Sequence, residues 1–454
     1  MAKHVLVVGG GLSGLSAAYQ LEQDGAQVTL IEREARFGGL LETRVVDGCV
    51  IEAGPDSFLA AKPAAMELIT ELGLAGEVIP SNDHVRRTFL WKGDRLIPMP
   101  DGLVMMAPSN MAALATTPLL SLTAKARAAQ ELLRQPPPAP LPDRSIGAFV
   151  RDHWGDEIVD YLAEPLLTGV FGGDVDRLSM QQVLPRFVDL ETRYGSVTRG
   201  LMAEPRPPEA GSLFRSLKGG LETLAVALDG RIKARRVQAT AQRVEKTSPG
   251  FRVHLTRPDG ATGSLVGDAV VIGLRTWQAA PLLEPLDAAL AALLGQIEYS
   301  SAVTVGLTWP LDGFPHPLDG FGFLVPQVER RHLVACTWVG TKFAHRAAPG
   351  KAVIRAFLGG DRWCQATGEE ILAAVREDLA VIMGITAEPV GVSIARWPRS
   401  MPQYYIGHQQ WLETLRQREA QHPGLVLTGN YLEGIGIPDC IRMGRSAAKR
   451  ALSA

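Results

Sequence analysis

Residues 3–14 read KHVLVVGGGLSG, an apolar run that ends in the glycine pattern Gly9-x-Gly11-x-x-Gly14. The apolar run predicts a buried strand that turns directly into a helix. Gly9 allows the tight turn, Gly11 lets the backbone approach a pyrophosphate, and Gly14 lets the helix pack closely on the strand. The pattern therefore predicts a site for an adenine dinucleotide at a helix N-terminus, where free N–H groups face the phosphates.

A second strand with an acidic end follows this turn. Residues 28–31 read VTLI, and Glu32 comes eighteen residues after Gly14. A carboxylate at this point accepts hydrogen bonds from ribose hydroxyls and repels the 2′-phosphate of NADP. Residues 33–39, REARFGG, then bring cations and two glycines to a longer cofactor. A second place where the backbone and a cation come close to the phosphates of the cofactor favours FAD over NAD.

The C-terminal end of the chain also combines a strand, a turn and a helix. Residues 425–430 read LVLTGN, residues 433–440 read EGIGIPDC, and a helix is expected from there onward. A helix N-terminus that faces the cofactor would stabilise negative charge on a reduced flavin ring. Taken alone, these glycines and Pro438 are equally typical of an ordinary turn and a first helical turn.

Several further stretches resemble the FAD-dependent protoporphyrinogen oxidases of heme synthesis. They are Gly38-Gly39, EAGPDSF at 52–58, GVFGGD at 169–174, LKGGL at 217–221, RWPRSMPQY at 396–404, and residues 429–441. The resemblance runs through nearly the whole chain in order and at family spacing, whereas the glycine turn alone is shared with amine oxidases and carotene desaturases. It implies an α/β fold with a Rossmann-like FAD-binding domain of the amine-oxidase and protoporphyrinogen-oxidase type. A mixed-sheet substrate domain and a helical membrane-contact subdomain complete this expected architecture.

The expected domains are discontinuous. The FAD-binding domain takes residues 1–60, 211–280 and 405–454, the substrate-binding domain takes 61–84 and 281–404, and the helical subdomain takes 85–210. Within the substrate domain, the apolar pattern predicts strands at 302–309, 321–325, 332–339, 352–358 and 391–397, and a helix at 369–383.

The motifs and the resemblance together assign the cofactor, FAD, to a defined set of residues. Val237 is placed at the adenine edge by the resemblance. The full set is Gly9, Gly11, Leu12, Ser13, Gly14, Glu32, Arg33, Gly38, Gly39, Gly54, Pro55, Asp56, Val237, Gly429, Gly436 and Ile437. No metal is expected, because the nine histidines show no ligand spacing and the four cysteines form no paired motif.

The activity implied by the resemblance is the six-electron oxidation of protoporphyrinogen IX to protoporphyrin IX. The flavin is the hydride acceptor, so no catalytic side chain is assigned, and molecular oxygen reoxidises the flavin and leaves as hydrogen peroxide. Arg87, in preference to Arg86, falls where the family places its cation for a propionate. Gly169 matches a family glycine that faces the substrate rings, and Phe323 and Leu324 are expected to sandwich those rings.

The residues leave three other functions open. A coproporphyrinogen III oxidase would act before two propionates are decarboxylated and would need a more basic, more open pocket. Another flavin oxidase of this fold would act on an amine or a carotenoid. A porphyrin-binding carrier would keep the fold without turnover, although it would have no need for an intact flavin site.

Composition limits the partners. The chain has 454 residues, 46% of them hydrophobic, and a formal net charge of −2. This composition predicts no surface that binds polyanions, so nucleic acid is not an expected partner. No secretory leader is expected, because the chain enters its first strand at once. Prolines interrupt the apolar stretches 103–108 and 111–122, which excludes a spanning helix there. The resemblance favours a cytoplasmic protein in peripheral contact with the inner face of the membrane, with neighbouring heme-pathway enzymes as further partners.

Overall fold

The computed structural model describes residues 2–204 and 211–453, so the last residues of the expected helical subdomain, 205–210, lie outside the described part. Its strands in chain order are β1 (His4–Val8), β2 (Gln27–Glu32), β3 (Thr43–Val46), β4 (Cys49–Glu52), β5 (Phe58–Leu59), β6 (Val78–Pro80), β7 (Thr88–Lys92), β8 (Arg95–Pro98), β9 (Leu103–Val104), β10 (Ala107–Pro108), β11 (Phe214–Leu217), β12 (Arg235–Gln238), β13 (Thr240–Lys246), β14 (Phe251–Thr256), β15 (Thr262–Gly267), β16 (Ala269–Ile272), β17 (Tyr299–Pro310), β18 (Gly322–Leu324), β19 (Ala335–Trp338), β20 (Lys351–Gly359), β21 (Gly391–Pro402) and β22 (Leu425–Leu427).

The α-helices are α1 (Leu12–Gln23), α2 (Pro63–Glu71), α3 (Met111–Thr116), α4 (Leu122–Gln130), α5 (Ile146–Trp154), α6 (Asp156–Ile158), α7 (Glu164–Phe171), α8 (Met180–Val183), α9 (Pro185–Tyr194), α10 (Val197–Ala203), α11 (Glu222–Arg231), α12 (Thr276–Leu283), α13 (Ala288–Leu294), α14 (Val339–Lys342), α15 (Asp361–Gln365), α16 (Gly368–Met383), α17 (His408–Glu419) and α18 (Ile437–Ser453). Short 3₁₀ turns lie at Ala75–Glu77, Asp83–Val85, Glu131–Leu133 and Gln327–Glu329, and a π-helical turn lies at Val159–Ala163.

A five-stranded parallel sheet carries the glycine turn. Its strand order is β12-β2-β1-β16-β22. Residues 5–8 of β1 are buried, as expected for a parallel strand that is covered on both faces. Val8 pairs with Ile31 of β2 and with Ile272 of β16, so these strands end at the same edge of the sheet. Ligands of open parallel sheets bind in the crevice outside that edge.

The first and last helices of the chain pack against each other beside this sheet. A Cβ on Gly444 of α18 would lie 2.3 Å from the carbonyl oxygen of Ser13 in α1, so glycine is what allows this approach. Ile441, Ala447 and Ala448 of α18 are fully buried in the same core as α1. The two ends of the chain thereby contribute to one hydrophobic core.

A seven-stranded mixed sheet forms the second layer. Its order is β21-β17-β20-β19-β18-β7-β8, antiparallel except for the β18–β7 pair. The strands predicted between residues 302 and 397 are confirmed as β17 to β21, and the predicted helix is confirmed as α16, which begins with a capping box of Thr367 and Glu370. Helix α16 covers one face of the sheet, and the other face borders a large cleft.

The region from residue 85 onward differs from the expected helical subdomain at its start. Residues 88–98 form the hairpin β7–β8, which extends the seven-stranded sheet by pairing with β18. The hairpin turns at Gly93, whose φ of +69° favours glycine. Helices α3 to α10 follow, and they pack around the buried side chains of Phe149, Trp154 and Leu162. None of the helices in the described residues is both long and apolar enough to cross a bilayer.

Candidate cofactor and substrate site

A cleft of about 1920 Å³ lies between the parallel sheet, the seven-stranded sheet and the helical region. Fourteen of the sixteen residues predicted to hold the cofactor line this cleft, although they come from distant parts of the chain. They are Gly9, Gly11, Leu12, Ser13, Glu32, Arg33, Gly38, Gly39, Gly54, Pro55, Asp56, Gly429, Gly436 and Ile437. The remaining two, Gly14 and Val237, lie behind the wall of the cleft.

The three glycines of the first turn have three different surroundings. Gly9 adopts a φ of +103°, which favours glycine. A Cβ on Gly14 would lie 1.9 Å from the carbonyl oxygen of Gly9, so Gly14 holds α1 against β1. A Cβ on Gly11 would meet no atom within 4 Å, because Gly11 faces the open cleft. The first turn of α1, which no side chain caps, points its N–H groups into that space.

Glu32 is fixed by backbone donors at the end of β2. Its Oε2 accepts a hydrogen bond from the N–H of Gly10 at 2.6 Å, and its Oε1 accepts one from the N–H of Glu34 at 3.0 Å. A carboxylate offers about four acceptor positions, so two lone pairs remain for ribose hydroxyls. The two backbone hydrogen bonds thereby hold the carboxylate in place and leave acceptor positions open for a ligand.

The loop after Glu32 is held by an arginine that the sequence reasoning did not single out. Arg36 donates to the carbonyl oxygens of Phe37 at 3.1 Å and Leu41 at 2.7 Å, and it pairs with Glu222 at 3.4 Å. Its role is therefore to brace the loop. Arg33, the predicted cation, is half exposed and pairs with Glu34 at 3.0 Å while lining the cleft.

The segment that contains Gly54 and Pro55 is anchored from both sides. The carbonyl oxygen of Ala53 accepts hydrogen bonds from Thr304 at 2.6 Å and from the Trp397 indole at 2.7 Å. The preceding residue, Glu52, forms an ion pair with Arg346 at 2.9 Å, and both side chains are buried. These contacts present Gly54 and its neighbours rigidly to the cleft.

Asp56 forms the polar end of this segment. Lys342 donates to its Oδ2 at 2.8 Å, and the guanidinium of Arg355 lies 4.0 Å from the same oxygen. Burial by itself would raise the pKa of the Asp56 carboxyl, but the charges of Lys342 and Arg355 outweigh it and hold the pKa below its usual range. Asp56 is thus ionised at neutral pH and orders two cleft-lining cations.

The C-terminal turn is held by Tyr404. Its hydroxyl donates to the carbonyl oxygen of Asn430 and accepts from the N–H of Gly434 at 2.9 Å. Burial raises the pKa of Tyr404, so the hydroxyl keeps its proton. Helix α18 begins at Ile437, and Gly436 and Ile437 line the cleft. A second helix N-terminus therefore faces the cleft, as the sequence predicts.

Val237 does not face the cleft. It lies in β12 opposite Ile31 and is buried in the core behind the sheet. Residues 239–241, where the chain passes from β12 into β13, line the cleft at this end instead. The residues that line the cleft here therefore follow the strand rather than belong to it.

The substrate end of the cleft is a slot between the mixed sheet and α7. Leu324, Ala335, Phe357 and Ala302 line its sheet side, and all of them come from adjacent strands. Gly169 lines the opposite side, and a Cβ on Gly169 would lie 3.6 Å from Leu324 Cδ2. Gly169 thus lies close to Leu324 where α7 meets β18, and the other apolar side chains border the open part of the cleft.

Two of the four predicted substrate residues do not line this slot. Phe323 is buried in the core on the other face of β18, because successive side chains of a strand point to opposite faces. Arg87 is exposed and pairs with Asp319 at 3.0 Å, outside the cleft, and Thr88 lines the cleft next to it. Gly169 and Leu324 are the two that line the cleft.

The comparisons with known proteins agree with this geometry. The model of the family described as flavin containing amine oxidoreductase matches residues 12–452. The chain is 35% identical to the coproporphyrinogen III oxidase of Bacillus subtilis, over 99% of this chain and 98% of that protein. It is 29% identical to the chloroplastic protoporphyrinogen oxidase 1 of Spinacia oleracea, over 96% of this chain and 82% of that protein. A crystal structure from Exiguobacterium sp. 255-15, provisionally assigned as a protoporphyrinogen oxidase, superimposes with a TM-score of 0.89 at 31% identity, and each chain is covered completely.

Proposed function

Since this chain belongs to the flavin-containing amine oxidoreductase family, in the branch of the porphyrinogen oxidases, we propose that it oxidises a porphyrinogen to the corresponding porphyrin. The protein is an FAD-dependent oxidoreductase of heme biosynthesis. The observation that carries the choice of substrate is the apolar lining of the cleft by Ala302, Leu324, Ala335 and Phe357, which is continuous with the glycine turn. A slot with small apolar walls takes a four-pyrrole macrocycle, whereas a small amine would leave it largely empty.

The chain's residues bind and orient, and the cofactor supplies the redox chemistry. FAD, when bound, would supply the redox chemistry, namely three two-electron oxidations of each porphyrinogen with molecular oxygen as the final acceptor and hydrogen peroxide as the by-product. The residues from Gly9 to Gly39, together with Gly54 and Ile437, would hold it along the cleft. Leu324 and Phe357 exclude water from the slot, and Gly169 leaves room for the macrocycle. No side chain of the described residues is needed as an acid or a base.

Protoporphyrinogen IX and coproporphyrinogen III are the two candidate substrates. They share the macrocycle and differ in the number of carboxylates, two against four. Protoporphyrinogen IX suits the apolar walls of the slot. One specific observation favours coproporphyrinogen III: the cleft contains Arg330 and Arg362, and in the described part of the chain no carboxylate lies within 4.0 Å of either guanidinium.

The decisive experiment is aerobic turnover with each porphyrinogen supplied separately. We expect the FAD-loaded protein to generate porphyrin fluorescence, with three peroxides formed for each porphyrin. Bound FAD without oxidation of either substrate would contradict the proposal and would direct attention to amines and carotenoids. Porphyrin binding without oxygen consumption would instead identify a carrier.

We also propose peripheral contact with a membrane surface on the cytoplasmic side, through the helical region. Large apolar side chains are exposed there, with Leu122 83%, Leu133 76% and Met202 60% exposed. Such side chains can insert at the boundary between headgroups and acyl chains. Flotation with phospholipid vesicles tests this: we expect the wild-type protein to float, and a Leu122→Ser/Leu133→Ser variant to stay at the bottom. A wild-type protein that does not float would contradict membrane contact.

A further inference from the structure

The basic side chains of the cleft divide into those with an acidic partner and those without one. Six have partners: Arg33 with Glu34, Arg36 with Glu222, Arg151 with Asp156, Arg331 with Asp378, Lys342 with Asp56 and Arg355 with Asp56. Within residues 2–204 and 211–453, no carboxylate lies within 4.0 Å of the guanidinium groups of Arg275, Arg330 and Arg362. Arg330 and Arg362 are exposed, and a guanidinium without an ion-pair partner can form charge-assisted hydrogen bonds with an anionic part of a ligand.

Arg275 belongs to the cofactor end of the cleft. It follows Gly273 and Leu274 after β16, and it donates to the carbonyl oxygen of Pro398 at 3.1 Å. Burial lowers its pKa, and the nearby charge of Arg33 acts in the same direction. Arg330 and Arg362 must therefore be considered separately, as the unpaired cations of the substrate end.

Arg330 and Arg362 lie at the same edge of the mixed sheet. In the antiparallel pair β19–β20, Ala335 is opposite Phe357, and both residues line the slot. Arg330 precedes Ala335 and Arg362 follows Phe357 by the same number of residues, so the strand directions bring both arginines to one edge. Contact between the rings of His332 and Trp363, whose centroids are 5.5 Å apart, connects the two loops.

Both arginines sit on braced segments. Arg330 ends the 3₁₀ turn Gln327–Glu329 with a φ of +52°, and its N–H donates to the carbonyl oxygen of Gln327 at 3.1 Å. Glu329 of that turn accepts from the hydroxyl of Tyr161 at 2.9 Å, which ties the loop to the helical region. The guanidinium of Arg362 lies over the Trp363 ring, 5.0 Å from its centroid. Bracing of this kind lowers the entropy that each arginine loses when it binds an anion.

The opposite wall of the cleft carries negative charge. Asp160 and Asp174 line it on the helical side, and neither forms an ion pair in the described chain. A substrate with carboxylate arms is therefore repelled from the helical wall and attracted to the edge with Arg330 and Arg362. The macrocycle can remain between the apolar walls while its arms reach that edge.

We propose that Arg330 and Arg362 form a carboxylate clamp for the propionate arms of the porphyrinogen, and that this clamp makes coproporphyrinogen III the preferred substrate. The assignment rests on the proposed porphyrinogen oxidation. Coproporphyrinogen III carries a propionate on each of its four pyrroles, so it presents carboxylates to the clamp in every in-plane orientation. Protoporphyrinogen IX carries two neighbouring propionates and reaches the clamp in only part of its orientations.

The test compares the FAD-loaded wild type with Arg330→Gln, Arg362→Gln and the double variant on both porphyrinogens. Each single substitution should raise KM for coproporphyrinogen III about tenfold, the order expected for one charge-assisted contact. The double variant should raise it further, kcat should change less than about twofold, and KM for protoporphyrinogen IX should rise less than about threefold. Arg330→Lys keeps the charge without the planar fork, so it should give an intermediate KM.

Arg257→Gln is the matched control, because Arg257 is exposed in the turn between β14 and β15 and lies outside the cleft. It should match the wild type in every parameter. Fluorescence titration of coproporphyrin III into the FAD-loaded wild type and variants should rank their Kd values in the same order as their KM values. If the variants turn over with unchanged KM, the clamp is refuted while the porphyrinogen oxidase stands. If the FAD-loaded wild type oxidises neither porphyrinogen, the proposed function fails, and the clamp fails with it.

Discussion

Gly11 and Gly14 separate cofactor binding from folding at the scale of single residues. Gly11 faces open cleft, so Gly11→Ala should fold normally but place a methyl group where a pyrophosphate must approach. Gly14→Ala would put a Cβ 1.9 Å from the carbonyl oxygen of Gly9, and α1 would have to move. We expect Gly14→Ala to cost about 1–3 kcal/mol of stability, in the range of overpacked cores.

Thermal unfolding of the FAD-free proteins and titration with FAD distinguish these two effects. Gly11→Ala should keep the unfolding midpoint of the wild type and lose FAD affinity, whereas Gly14→Ala should lower the midpoint itself. Equal FAD affinity of Gly11→Ala and the wild type would show that the cofactor does not pass over this turn.

The width of the substrate slot depends on Gly169. A Cβ at this position would make ordinary contact with Leu324 Cδ2 at 3.6 Å, so Gly169→Ala should change KM only slightly. Gly169→Leu should narrow the slot and raise KM at least about tenfold, which corresponds to about 1.4 kcal/mol of lost binding. Leu324→Ala in the same chain should recover part of that loss. Steady-state kinetics of the three variants would show an absence of coupling if these two residues did not contact each other.

Single residues also show where sequence reasoning stops. The glycine turn and Glu32 could be predicted because their chemistry depends on neighbouring residues and fixed spacing. Phe323 and Leu324 were equally apolar candidates, and only the pairing of β18 with β19 decides which of them faces the slot. The direction of the Arg87 side chain could not be predicted either, because Asp319, its ion-pair partner, is far away in the sequence.

At the scale of elements, the helical region is organised around His153. This buried side chain lies between Glu131 on Nδ1 and Glu191 on Nε2, both at 3.0 Å, and stacks on Phe149. Arg144 binds both Asp152 and Glu191, which means that the side chains with metal-ligand chemistry here are already engaged in ion pairs.

This cluster predicts a loss of stability in acid. Burial acts to raise the pKa of Glu131, but hydrogen bonds from His153 and Ser196 outweigh it, so the folded pKa is below the ordinary value of 4.5. A lowered folded pKa stabilises the protein fully above the unfolded value, and that contribution is lost as the pH falls through the folded value. Glu131→Gln should therefore lower the unfolding midpoint at pH 7, and its difference from the wild type should shrink below about pH 4.5.

Thermal unfolding between pH 7 and pH 3.5 measures this difference. Glu388→Gln is the control, because Glu388 is 72% exposed and its pair with Arg376 lies on the surface. It should follow the wild type over the whole range. A constant difference between Glu131→Gln and the wild type at all pH values would show that Glu131 stabilises the helices without its charge.

Elements could be predicted where their signal is local. The strands between residues 302 and 397 and helix α16 follow from apolar runs bounded by turns. The sequence analysis places the hairpin β7–β8 in the helical region. Its position in the sheet could not be predicted, because it depends on pairing with β18, more than two hundred residues later in the chain. Pairing between distant strands leaves no trace in a local pattern.

At the scale of the whole molecule, the order of segments could be predicted, but the shape of the cleft could not. The glycine turn indicates a cofactor by its own spacing, whereas the EAGPDSF stretch and the C-terminal motif do so through the resemblance. Their meeting point depends on long-range contacts, such as Gly444 of α18 against Ser13 of α1 and the carbonyl of Ala53 against Trp397. For the same reason, the clamp of Arg330 and Arg362 becomes visible only when β19 and β20 are paired.

The convergence of these segments predicts how FAD controls the stability of the molecule. A ligand that binds only the folded state stabilises it by RT ln(1 + [L]/Kd), which is about 2.7 kcal/mol at one hundred times Kd. Because Gly11, Gly39, Gly54 and Ile437 line one cleft, FAD should raise hydrogen-exchange protection in all four segments together. The helices around Trp154 have their own core and should gain protection only through global unfolding. Hydrogen exchange followed by mass spectrometry, with and without FAD, checks this pattern. Protection confined to the glycine turn would mean that the other segments do not form one cofactor site, and the discontinuous domain would then be the part of the assignment to abandon.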